Sequence, residues 1–314
     1  MAEQMHERVE VGDAKSVRAL VQMGSGQLAV KGGAGALMEG RFEFSNAAWR
    51  PEVTYDVSHD APDAARDSSY GMGNLVVKQP ERTKSTVTAN ANYVWDLALG
   101  NEVPVELAVR LASGDADLRL ADTRAVLLEA AIGSGRVRAD LARATELRHV
   151  AVKVGSGRVD LMFAGEYTHL SKVEVSVASG QTDLVLDGEY ASLKELRINA
   201  ASGRIGLRIA GACPALKTLA LNTASGFVDL DIAGSLPADL AVGIRCVSGV
   251  STVKLPAGLG ASLRFSSVSG KLTTPGFRKE NGRYVNAAYR AGAGALHLVV
   301  STVSGELILQ PIEL

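Results

Sequence analysis

The sequence predicts an all-β fold, a right-handed parallel β-helix or β-solenoid with coils of about 21–23 residues. Three observations predict it. First, the phrase apolar-x-apolar-x-apolar-x-Ser-Gly-x-x-apolar-x-apolar returns eight times between Leu107 and Leu272. Its Ser-Gly pairs are Ser113-Gly114, Ser134-Gly135, Ser156-Gly157, Ser179-Gly180, Ser202-Gly203, Ser225-Gly226, Ser248-Gly249 and Ser269-Gly270, spaced by 21, 22, 23, 23, 23, 23 and 21 residues. Second, both halves of the phrase alternate with period two, so each half is a strand with one buried face. Leu196, Ile198 and Ala200 precede one pair, and Ile205, Leu207 and Ile209 follow it. Third, the spacing is nearly constant, which in-register parallel stacking of coils requires and a row of independent turns does not. The alternative is a stack of β-hairpins with each Ser-Gly as a two-residue turn, placing Ala200 opposite Ile205. In either case the Ser-Gly pairs are structural turns, with Gly supplying positive φ. One coil cannot bury enough apolar surface to offset its own ordering, so the units must share a core.

Along the chain, residues 1–16 are polar and read as a lead-in. Residues 17–30 carry a first copy of the phrase around Ser25. Leu37 to Phe44 alternates like a strand, and Trp49, Pro51, Val53 and Tyr55 read as a second strand after a turn at Ser45-Asn46. Residues 56–69 and 79–92 are polar loops. Between them Leu75 to Lys78 follows a Gly71-Met72-Gly73 turn, and Trp95 to Leu99 reads as a strand before a turn at Gly100-Asn101. The regular array begins at Val103. After Ser269 comes an excursion with an Asn281-Gly282 turn, and a last copy around Ser304 closes the array. The organisation predicted is an N-terminal section, 1–102, and regular plus closing coils, 103–314, on one continuous core.

Charge is balanced, with 33 Lys and Arg against 34 Asp and Glu. No global basic field points to nucleic acid. Cys213 and Cys246 form no C-x-x-C pair and read as reduced, buried thiols. The charged N-terminus lacks the apolar core of a signal peptide, and no run approaches the roughly 18 apolar residues of a membrane helix. The expected location is cytoplasmic, peripheral to the membrane at most.

Outward positions give the candidate interaction face. Two residues after each Ser stand Arg136, Arg158 and Arg204 among others, and four after stand Asp160, Asp183 and Asp229. Side by side, such columns form ion pairs on a solvated face. A calcium face of Asp160, Asp183 and Asp229 is the sharper alternative, but Gly206 interrupts that column and no calcium-type Gly-Asp repeat accompanies it. The repeated Ser lacks the Gly-x-Ser-x-Gly context of a nucleophile. Lys31-Gly32-Gly33-Ala34-Gly35 lacks the order of a phosphate loop. His59, Asp60 and Asp63 share one loop without metal-ligand spacing. Tyr167 and Tyr190, 23 residues apart, read as a stacked corner rather than a sugar-binding patch. No cofactor, metal or catalytic residue is predicted.

The segment KGGAGALMEGRFEFSNAAWRPEVTYDV resembles the N-terminal section of the bacterial toast-rack domain, through Gly32, Gly33, Leu37, Met38, Gly40, Trp49, Pro51, Val53 and Tyr55. The tail from VKLPAGLGASLRF to GALHLVVSTVSGELIL is similar to that family's closing part. The resemblance implies a non-enzymatic β-solenoid module of the kind accompanying envelope-stress systems of the LiaF and PspC type, often attached to membrane helices. This chain departs from that pattern in having more repeats and no membrane segment. The function expected is therefore an interaction or scaffold module with a protein partner, a membrane-stress protein foremost. The alternatives are a self-assembling structural protein and an adhesin or glycan-binding solenoid.

Overall fold

The computed structural model describes residues 3–45, 47–58, 71–80, 93–291 and 295–312. The chain divides into two compact units, Met1–Val152 and Lys153–Leu314. Among the described residues no helix is long and apolar enough to cross a membrane.

In the first unit the strands are β1 (Glu3–Val9), β2 (Ser16–Gly32), β3 (Met38–Phe44), β4 (Glu52–Ser58), β5 (Met72–Lys78), β6 (Val94–Leu99), β7 (Val105–Arg119) and β8 (Ala125–Asp140). β2, β7 and β8 stack as parallel coils in register, with Ser25 beside Ser113 and Ser113 beside Ser134. The other edge of β2 carries β5 and β6, also parallel. Antiparallel strands then cover that outer coil: β4 on β5, β3 on β6, and β1 on β3. The residues read as a polar lead-in thus form β1. Their side chains alternate without an apolar face, so periodicity could not reveal a strand held by its backbone pairing. Trp49 lies in a short 3-10 helix rather than a strand and stacks on Tyr93 with ring centroids 4.7 Å apart. Gly73, read as a turn, lies within β5. His59, Asp60 and Asp63 lie outside the described residues.

In the second unit, and reaching back to residue 149, are β9 (His149–Glu166), β10 (Lys172–Glu189), β11 (Glu195–Ile209), β12 (Thr218–Ile232) and β13 (Ala241–Pro256). β10 to β13 pair parallel at the repeat offset: Leu196 lies between Val173 and Leu219, and Leu219 beside Val242. The hairpin alternative is excluded, because Ala200 pairs with Val177 and Thr223, not with Ile205.

The Ser-Gly pair is a corner within a continuous strand. Val173, Val175 and Val177 are buried, and so are Thr182, Leu184 and Leu186. The step from Val177 to Thr182 is odd, so the alternation changes phase there and the strand turns while keeping its apolar face inward. Gly180, Gly203 and Gly226 take φ of 141°, 125° and 138°, where L residues with a Cβ are strained. The coil beneath also fills the space: a Cβ on Gly203 would sit 1.8 Å from the carbonyl oxygen of Gly180.

The second unit ends with β14 (Gly260–Ser267), β15 (Lys271–Thr273), β16 (Phe277–Glu280), β17 (Arg283–Asn286), a one-turn helix α1 (Ala287–Arg290), β18 (Ala295–Thr302) and β19 (Glu306–Ile312). β18 and β19 lie between β13 and β14–β15, with His297 flanked by Ala241 and Ser262, and Leu307 by Ser251 and Leu272. The outermost coil is therefore β14–β15, although β18 and β19 follow it in sequence. β16 and β17 form a hairpin at the predicted turn through Asn281 (φ 45°) and Gly282 (φ 78°), the primed turn that Asn-Gly favours.

Candidate functional site

The outward faces of β9 to β12 carry the charged columns, set about 4.8 Å apart from coil to coil by the ladder spacing. In-register stacking places Gln181 beside Arg204 and Arg204 beside Phe227, while Asp183 lies beside Gly206 and Gly206 beside Asp229. Arg158 bridges two coils: its Nε donates to Asp160 Oδ1 at 2.6 Å and its Nη2 to Asp183 Oδ2 at 3.0 Å. Gln181 Nε2 donates to the same Asp183 oxygen at 2.6 Å. Arg204 Nη2 lies 2.5 Å from Asp229 Oδ2. The hydrogen bond and charge of Asp160 raise the Arg158 pKa above its ordinary value, so this guanidinium stays protonated. Gly206 interrupts the Asp column, and the Asp183 carboxylate leans over it, with Oδ1 2.7 Å from where a Cβ would stand.

Of the predicted face, Arg158, Asp160 and Asp183 form one ladder and Arg204 and Asp229 a second. Arg136 stands in the first unit, where its backbone N–H donates to Asp115 Oδ1 at 3.1 Å. The aspartates of the calcium alternative are turned onto arginines. Among the described residues no group of three or more His, Cys, Asp or Glu converges as a metal site. The column also holds Phe227, 56 % exposed beside Arg204. It broke the polar pattern in the sequence, and that break was the available signal.

The other sequence candidates are structural. Tyr167 and Tyr190 stack with centroids 5.2 Å apart and planes 11° from parallel, both buried. Tyr190 Oη donates to the carbonyl of Phe163 at 3.0 Å. Cys213 and Cys246 are free and buried. Burial pushes the Cys213 thiol up to about 12 and raises Cys246 as well, which keeps both protonated and poorly nucleophilic.

Two features escaped the sequence. Asn222 Nδ2 donates to Asn199 Oδ1 at 2.8 Å, a rung between coils. At the closing coils Ser262 Oγ lies 2.7 Å from His297 Nδ1, and His297 Nε2 lies 3.4 Å from Asp239 Oδ1. These residue types suit acyl transfer. Ser262, however, is only 3 % exposed, which keeps its Oγ out of reach of a substrate carbonyl. The interleaving of β18 brings the three together, and no sequence spacing announces it.

Residues 2–162 match the family described as the N-terminal domain of toast_rack, DUF2154. The chain belongs to the toast-rack family. The toast-rack residues that carried the resemblance have packing roles: Leu37 and Met38 are buried, and a Cβ on Gly40 would meet the Phe42 ring at 2.6 Å. No curated protein matches the chain. Among solved structures, the chain is similar to a candidate cell adhesion protein from Clostridium sporogenes ATCC 15579, with 16 % identity and a TM-score of 0.33, over 99 % of this chain and 100 % of that one. It is also similar to a candidate adhesin from Bacteroides fragilis NCTC 9343, with 8 % identity and a TM-score of 0.34, over 99 % of this chain and 97 % of that one.

Proposed function

We propose that this toast-rack chain is a non-enzymatic interaction module that presents the outward face of β9 to β12 to a protein partner in cell-envelope stress signalling. The observation that carries the proposal is Phe227, an aromatic side chain 56 % exposed within a field of arginines and aspartates already held in place by one another. An apolar anchor with a polar surround is the usual anatomy of a protein interface. Ion pairs between neighbouring coils contribute little stability at this exposure. Their stronger effect is to fix charge positions, which favours partner selection over folding. In this reading the partner is a membrane-stress protein, as the toast-rack resemblance implies, and this chain lies peripheral to the membrane on its cytoplasmic side.

The test is affinity capture of the tagged chain from native cells, with membrane and soluble fractions analysed separately. A specific membrane-protein partner is expected. Phe227→Ala should weaken its recovery, and reversal of Arg158, Asp160, Asp183 and Arg204 together should abolish it while the fold persists by circular dichroism. Unchanged recovery from both variants would leave this face an ordinary solvated surface.

A further inference from the structure

The outermost coil of the second unit, β14–β15, is covered on only half of its free edge. β17 pairs with β14 at Ser262 and Leu263, and those two residues are buried. Beyond them, among the described residues, β14 and β15 pair only inward, with β18 and β19. Phe265 and Leu272 point along the core columns yet are half-exposed, while their ladder neighbours Val300 and Leu307 are buried. Lys271 N–H donates inward to the Gly305 carbonyl. Strand alternation therefore turns the N–H and C=O of Leu272 outward.

This end is also basic. Residues 260–291 hold Arg264, Lys271, Arg278, Lys279, Arg283 and Arg290 against Glu280 alone, a net of +5 in a chain whose whole net is −1. Glu280 is taken by Arg290, and Lys279 lies over the Tyr284 ring. Arg264, Lys271, Arg278 and Arg283 are exposed and make no ion pair among the described residues.

We propose that this open edge docks an acidic, extended segment of a partner protein by strand addition. The backbone of the edge supplies the ladder, and side chains at alternate positions supply the selection. The inner neighbour shows what such a segment looks like: β19 sets Glu306 beside Lys271 and Leu307 beside Leu272. A strand alternating acidic and apolar residues repeats that match on the outer side. Alternation changes phase at the Ser269-Gly270 corner, so such a strand lies along one arm of it, with carboxylates against Arg264 and apolar side chains over Phe265 on β14, or against Lys271 and over Leu272 on β15. The same cations disfavour a second copy of this edge, because edge lysines and arginines repel one another across a self-paired ladder. The site is separate from the charged ladder around Phe227 and stands whether or not that face binds.

The experiment is fluorescence anisotropy on the full chain. The probe is a fluorescein-labelled octapeptide of four glutamates alternating with four leucines. Comparison peptides carry the same residues in two blocks, or N-methyl groups on one or the other alternate set of amides. The alternating peptide should bind about tenfold more tightly than the block peptide, in line with recognition by strand period. One N-methylated form should bind and the other should not. Arg264→Glu with Lys271→Glu should weaken binding by about tenfold or more, in keeping with loss of complementary charge. Equal binding of all peptides would overturn the proposal in favour of plain polyanion attraction. Co-sedimentation with vesicles of anionic phospholipid, without peptide binding, would overturn it in favour of a lipid surface. A dimer that Lys271→Glu dissociates would make a second copy the occupant.

Discussion

The middle and closing corners of the second unit use the same dipeptide in two conformations. At Ser202-Gly203, Ser225-Gly226 and Ser248-Gly249 the glycine has φ between 125° and 138°, and the preceding coil's carbonyl occupies the place a Cβ would take. At Ser269-Gly270 and Ser304-Gly305 the glycine leaves that region. A hydroxyl three residues earlier accepts from its N–H instead, Ser267 for Gly270 and Thr302 for Gly305. A hydroxyl alone does not select the second form, because Thr223 stands at the same place and Gly226 keeps φ at 138°. A following valine alone does not either, because Cys246-Val247 precedes Gly249 at 134°. Of these five corners, only the two closing ones combine both. Repetition of a motif thus fixes where a corner falls, while its conformation follows the residues two and three before the glycine.

The comparison can be broken most sharply at the glycines. Gly203→Ala sets a Cβ against backbone at strained φ and should destabilise by about 4 kcal/mol in urea unfolding. Gly305→Ala should cost about 2 kcal/mol, since the Thr302 hydroxyl can rotate away and the Gly249 carbonyl of the neighbouring coil lies at 2.8 Å rather than the 1.8 Å met at Gly203. Equal losses would mean that the two corners are energetically alike. Next come the apolar columns. Ile198→Ala, in the closed core, should cost about 3 kcal/mol, and Leu272→Ala, at the open end, about 1 kcal/mol. A Leu272 loss as large as that of Ile198 would show that the end is covered in solution.

The smallest effect is alkaline. A thiol raised on folding from 9.0 to about 12 stays protonated in the native state while the unfolded chain ionises. Cys213 then contributes stability that is whole below pH 9 and declines as pH rises towards 12, at most about 1.4 kcal/mol per pH unit. Cys213→Ala should flatten the stability profile between pH 9 and 10, below the point where Tyr190, ordinarily at 10.0 and also raised by burial, begins to add. An unchanged slope would remove the thiol from the account.

Much of the middle was legible because its signals are local. The phase change at Ser179-Gly180, the inward columns through Leu196 and Ile198, the Asn281-Gly282 hairpin and the Tyr167–Tyr190 stack each follow from a few residues and a repeat offset. The candidate ladder was half legible. In-register stacking set Arg158 and Asp183 on one face, but the bridge between coils depends on how a long side chain turns. The ends were least legible, since β1 is fixed by its partner rather than by its own periodicity. The place of β18–β19 depends on which coil leaves a gap, and a Ser-Gly copy looks the same beside either neighbour.

That gap bears on how the chain is made. During synthesis β14–β15 emerges before the strands that will separate it from β13, and it carries the same phrase, with Ser269 available to align on Ser248. A nascent chain therefore meets a slot that its own next coil fits. Native order requires that coil to stand off until β18–β19 arrives, or to be displaced by it. The excursion through β16, β17 and α1 anchors the outer coil from the far side, with Asn286 accepting from Ala261 N–H and donating to the Leu259 carbonyl. It is translated after β14–β15 and before β18–β19, so the far-side cover of the outer coil exists before the segment that fills the slot.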